Sequence, residues 1–207
     1  MPFQSQSFQQ RAEDSVAAIE AVSRAEVVVV VAGRSGSYAD VDLLWGILAG
    51  LTTLGLVLHS PWNFHPDLVL PDVALFGWLA WMASRRLDPL RRALTSRKRR
   101  CGQVEAAARQ AFMEEGVSAT RERTGVLVYL SLLEREVVLQ PDLGLDGLVP
   151  RAVWNRFRHA LRGCRKLKDL EECFFQGMAD LAQHLPRHAP AGAQDPDEIP
   201  NTPRLRL

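Results

Sequence analysis

The sequence predicts an α/β protein: a small mixed β-sheet of three to four strands flanked by helices, with a two-helix transmembrane hairpin inserted into it. Three observations predict this. Val27 to Val31 is an unbroken β-branched run ending at Ala32-Gly33, the pattern of a strand buried on both faces. Thr124 to Leu132 and Val137 to Leu139 read as two strands joined through Glu134-Arg-Glu, a β-hairpin closed off by the turn residues Pro141-Asp142-Leu-Gly144. Leu43 to Leu58 is a stretch of sixteen residues with no charge, too long for a strand.

The helices follow from spacing. Phe8, Ala12, Val16, Ile19 and Val22 recur every three or four residues among Gln, Arg, Glu and Asp, so residues 8 to 25 predict an amphipathic helix. Val104, Ala107, Ala108, Ala111 and Phe112 make a second stripe, stopped by Gly116. Val153, Trp154, Phe157 and Leu161 suggest a third helix. After Gly163, the residues Leu167, Leu170, Phe174, Met178, Leu181 and Leu185 suggest a fourth. The tail from Pro186 is proline-rich and reads as irregular. The soluble domain is therefore expected from residues 1 to 38 and 101 to 187, with residues 188 to 207 as an irregular tail and no internal repeat.

Sixteen residues cover only about 24 Å as a helix, so the first span is extended to about 41 to 59 to cross a hydrocarbon core of about 30 Å. Asp42 then falls at one interface. After the link HSPWNFHPD, Leu68 to Ala83 gives a second apolar segment, a span over about 67 to 84. Pro71 and Asp72 interrupt it near its start, where a first-turn proline costs little and an acid can reach headgroups. The alternative is two buried helices of a soluble protein.

Charge orients the hairpin. Arg85, Arg86, Arg91, Arg92, Arg97, Lys98, Arg99 and Arg100 face one acid, Asp88, a local net of +7 within a chain whose overall formal charge is +1. The link between the spans has no Lys or Arg, so the positive-inside rule places both termini in the cytoplasm. These eight residues form a juxtamembrane segment, 85 to 100, expected to meet an anionic inner leaflet. No aromatic residue interleaves the run, which argues against nucleic acid. Arg151, Arg156, Arg158, Arg162, Arg165, Lys166 and Lys168 make a second basic stretch, either a solvated helix face or a surface docked on the same leaflet. The three cysteines, Cys101, Cys164 and Cys173, include no C-x-x-C, so reduced thiols in a cytoplasmic compartment are expected. The first fourteen residues lack the pattern of a secretory signal.

Several residue groups invite a chemical reading. Asp142 and Asp146 flank Gly144 after the last strand, and with Asp40 after the first strand they could hold a divalent cation, calcium or magnesium, against a phosphate ester. The bland readings are a turn in which Asp142 bonds its own backbone and a helix cap at Asp40. Gly33-Arg-Ser-Gly36 lacks the spacing of a phosphate loop and reads as a flexible turn into the membrane helix. Glu134-Arg135 could serve as acid and clamp, or be a solvated turn with a surface ion pair. His184 and His188 have ligand spacing, but Pro186 breaks their helix. Cys164 and Cys173 fit core packing.

The order of elements resembles the TPM domain family, in particular a bacterial branch of uncharacterised membrane proteins. The resemblance rests on Ile19-Glu20-Ala-Val22 with Ala25-Glu26-Val-Val-Val-Val, Ser37-Tyr38-Ala-Asp40, Phe112 with Gly116-Val and Thr120, Thr124-Gly125 through Val137, and Asp197-Glu198-Ile-Pro200-Asn201. It implies a compact α/β domain and, in some relatives, bound calcium or acid phosphatase activity. A domain facing the cytoplasm departs from relatives that face outward, and a weak calcium site there would stay empty. The expected function is a protein of the bacterial inner membrane whose TPM-like domain is a tethered interaction or assembly module for another membrane protein. The alternative is a divalent-metal-dependent phosphatase of the TPM type, so enzyme activity is left open.

Overall fold

The computed structural model describes residues 2–61, 65–162, 167–192 and 198–207. The expectations at Trp62, Gly163, Cys164, Arg165, Lys166 and Asp197, and those resting on the side chains of Arg162, Leu167 and Lys168, lie outside the described residues. The chain divides into two compact units, one of residues 1–35 with 101–207 and one of residues 36–100.

In the first unit, Ser5 caps helix α1 (Gln6–Glu20) by accepting the Phe8 N–H at 3.2 Å, and Phe8, Ala12, Val16 and Ile19 are buried along one face. The helix ends earlier than its apolar stripe suggests. The Ser23 hydroxyl donates to the Ile19 carbonyl, the chain turns off, and Val22 is left 42% exposed. Strand β1 (Glu26–Ala32) follows, buried at every position.

Strand β2 (Gly125–Ser131) pairs with β1 in parallel, and β3 (Glu136–Pro141) pairs with β2 antiparallel. A fourth strand, β4 (Arg204–Arg206), lies parallel to β1 on its other side, giving the order β3-β2-β1-β4. The tail expected to be irregular thus supplies an edge strand. Three residues with two arginines carry no strand periodicity, and tertiary pairing alone makes the strand.

The sheet is the middle layer of three. Val27, Val29 and Val31 of β1 and Val126, Val128 and Leu130 of β2 share one core with α1 and with helices α7 (Arg151–Arg162) and α8 (Leu167–His184). The alternate residues Val28, Val30, Leu127 and Tyr129 share a second core with Val104, Ala108, Ala111 and Phe112 of helix α5 (Arg97–Glu114). Side chains on a strand alternate, so a strand covered on both faces must be apolar throughout. Edge strand β3, covered on one face, buries only alternate positions, Val137 and Leu139. At Gly125 a Cβ would sit 2.1 Å from the Val117 carbonyl oxygen, so the start of β2 requires glycine. A short helix α6 (Leu143–Asp146) begins at Asp142.

The second unit consists of helices α2 (Ala39–His59) and α3 (Pro66–Arg86), the short helix α4 (Asp88–Leu94) and the first residues of α5. Pro71 lies beyond the first turn of α3, because the helix starts at Pro66, so the missing amide removes an interior hydrogen bond.

Candidate functional site

Helices α2 and α3 are each 21 residues long and apolar enough to cross a membrane, with mean hydropathies of 1.9 and 1.2. A core helix of a soluble protein is mostly covered by its own protein. Here only 17% and 6% of the apolar windows are buried, and Leu43, Leu44, Ile47, Leu56, Leu70 and Phe76 all face outward. An apolar exterior this extensive marks a surface for contact with a membrane or with another protein.

The two helices meet along glycines. Gly46 and Gly50, one turn apart on α2, face Gly77 on α3. A Cβ at Gly46 would approach the Gly77 carbonyl oxygen and the Trp81 Cβ, both at 3.0 Å, and one at Gly77 would lie 3.1 Å from the Gly46 oxygen. Close backbone approach of this kind is how helices associate in lipid, where no hydrophobic effect drives them together. The Gly-x-x-x-Gly spacing was present in the apolar run and is its most specific feature.

At one end of the same unit a polar cluster is shut away from solvent. Arg91 of α4 donates to Asp42 of α2 twice, Nε to Oδ1 at 3.0 Å and an η-nitrogen to Oδ2 at 2.6 Å, and the Ser84 hydroxyl of α3 donates to Oδ1 at 2.7 Å. Asp42 is 2% exposed and Ser84 fully buried. The cluster ties α2, α3 and α4 together, and the bond to Asp42 pushes the Arg91 pKa up further.

The basic run is therefore not a uniform surface. Arg91 is buried and neutralised, a correction to its expected place among the headgroup-facing charges, and Asp42 is its partner rather than an isolated interfacial acid. Arg99 holds Asp40 with two bonds of 2.6 and 2.8 Å, and the Arg100 guanidinium donates to the Arg92 carbonyl. Arg85 stacks over Trp81 at 4.8 Å, while Arg86, Arg97 and Lys98 are exposed.

The carboxylates expected to hold a metal are otherwise engaged. Asp142 is buried, accepts two bonds from Arg123 at 3.1 and 3.2 Å and caps α6 through the Leu143 N–H. Asp146 is exposed on α6, and Asp40 belongs to the other unit and to Arg99. Among the described residues no group of three His, Cys, Asp or Glu is arranged to hold a metal ion. His184 is bonded to Arg156 and to the Asp180 carbonyl.

Glu134 is not a solvated turn tip, which was one of the two readings the sequence allowed. It is 3% exposed, and its carboxylate accepts the Ser35 N–H at 3.1 Å and the Ser131 hydroxyl. Ser35 Oγ lies 2.7 Å from Ser131 Oγ and 3.1 Å from Tyr129 Oη. One hydroxyl carries one proton. With the Ser131 proton on Glu134, Ser35 gives its own to Ser131 and takes one from Tyr129, whose phenol burial makes harder to ionise. This chain of hydroxyls anchors the Gly33–Gly36 turn where the polypeptide leaves the α/β unit. Sequence reasoning missed it because Glu-Arg-Glu between two strands has the composition of an exposed turn.

Cys173 is partly buried against the core, as expected, but it is disulfide-bonded, which departs from the expected reduced thiols. Cys101 is free, its sulfur 3.5 Å from the Glu136 carboxylate.

These features define a class: a mixed four-stranded α/β domain whose chain also carries a pair of helices long and apolar enough for a membrane. No family model matches the sequence, and no curated protein matches it. Among solved structures, the chain is similar to the NMR structure of the BA42 protein from the psychrophilic bacterium Bizionia argentinensis. The TM-score is 0.59 at 15% identity, over 98% of this chain and 95% of that one. At that identity the likeness speaks to the fold alone.

Proposed function

We propose that the chain is an integral membrane protein of the bacterial inner membrane in which α2 and α3 cross the bilayer as a hairpin and tether a TPM-like domain. That domain acts as an interaction or assembly module for another membrane protein. The observation that carries this reading is the outward-facing apolar surface of both helices, sealed against each other by glycine and closed by a buried ion pair. The engagement of Asp142 by Arg123 favours the tether over the metal-dependent phosphatase.

The link without Lys or Arg and the basic residues after α3 support cytoplasmic termini. The disulfide at Cys173 pulls the other way, since such bonds persist in oxidising compartments. Charge acts on the hairpin during insertion and so sets its orientation before the domain folds. Alkaline extraction of membranes tests the tether: the protein stays with the lipid pellet, and release into the supernatant would end this reading. Reporter fusions at residue 63 and at the C-terminus test orientation, and a periplasmic C-terminal reporter would reverse it.

A further inference from the structure

An apolar groove of about 510 Å³ runs along the hairpin between α2 and α3. Its floor is Gly46, Gly50 and Gly77, and Ile47, Trp78 and Trp81 stand along its sides. One helical turn beyond Trp81, the exposed Arg85 guanidinium stacks over the indole. Among the described residues Arg85 makes no hydrogen bond or ion pair, so its five N–H donors remain available beside the end of the groove.

We propose that this groove binds one acyl chain of an anionic glycerophospholipid, such as phosphatidylglycerol, whose phosphate is held by Arg85. The proposal rests on the membrane reading above. The open apolar lining suits a hydrocarbon chain lying along the helices, and the cation beside Trp81 suits a headgroup phosphate. Charge also decides between lipid and a second copy of this chain. Two copies inserted in the same direction would bring their Arg85 residues and their basic segments to the same level of the membrane, like charge against like. An anionic lipid brings the opposite sign.

The test uses full-length protein in phosphatidylcholine vesicles doped, at equal mole fraction, with either phosphatidylglycerol or phosphatidylcholine carrying brominated acyl chains, which quench the groove tryptophans on contact. Brominated phosphatidylglycerol is expected to quench as if enriched about fivefold at the groove, the equivalent of about 1 kcal/mol for one arginine beside an anionic headgroup. Arg85→Gln and the groove-filling Ala74→Phe abolish that preference, and Arg86→Gln keeps it. Equal quenching by the two lipids overturns the site. So does a preference that survives Arg85→Gln, which would be general surface attraction, or one that fades as the protein-to-lipid ratio rises, which would put a second copy in the groove. Protein that fails to float with the vesicles refutes the membrane reading itself; protein that floats without preference refutes only the lipid site.

Discussion

Arg91 and Asp42 form a two-bond ion pair, sealed from solvent together with the Ser84 hydroxyl. Removing one partner leaves a buried charge uncompensated. Asp42→Ala is expected to destabilise the hairpin by about 3–5 kcal/mol. Replacing both partners with apolar residues, Asp42→Leu with Arg91→Met, recovers most of that. Denaturant titration in detergent micelles measures the difference, and a double variant as unstable as the single one would contradict the argument.

The glycine seam makes a graded prediction. Gly46→Leu and Gly77→Leu force the helices apart and cost about 1–3 kcal/mol by overpacking. Gly55→Leu, where a Cβ meets nothing within 4 Å, leaves the hairpin unchanged. Distances between spin labels on α2 and α3 read the separation; an equal effect at all three positions would rule out a specific seam.

Glu134→Leu leaves the Ser35 N–H and the Ser131 hydroxyl without their shared acceptor, at a cost of about 1–3 kcal/mol for each buried group. Amide exchange should accelerate at residues 33–36, where the chain leaves the sheet, while β1 keeps its protection. Protection that is unchanged at Ser35 would mean that the carboxylate does not hold the turn.

Acid should loosen the C-terminal strand. Glu114 bonds to Gln110 and to Arg206 of β4, and these contacts hold its carboxyl below the ordinary value of 4.5. A depressed carboxyl stabilises the fold above its unfolded value, and that contribution disappears as pH falls through the lower, folded one. Amide exchange at residues 204–206, followed downward from neutral pH, should rise below about pH 4.5; Glu114→Gln should raise it at neutral pH and flatten the profile.

The parts of the fold visible in the sequence are those whose pattern is long. The β-branched run at Val27–Val31, the strand at Gly125–Ser131 and the two apolar helices each impose a period or a length that only one element satisfies. Arg204–Arg206 has neither, because a three-residue edge strand is defined by what it pairs with. Glu134 and Arg91 were misplaced for a related reason. Charge predicts solvent on average, and only the partners, 99 residues away for Ser35 and 49 for Asp42, reverse that expectation. Asp142 was legible as a turn residue bonded to its local backbone, whereas its capping of α6 and its hold on Arg123 were not.

The parallel pairing of β1 with β2 joins Glu26 to Gly125 and carries the whole hairpin between the paired strands. During synthesis the first strand is therefore finished long before its central partner exists. Both apolar helices must leave the ribosome before the sheet can close, so β1, apolar on both faces, waits unpaired while the hairpin is being made. The order of the genetic text thus leaves an apolar strand exposed to aggregation for as long as the hairpin takes to emerge.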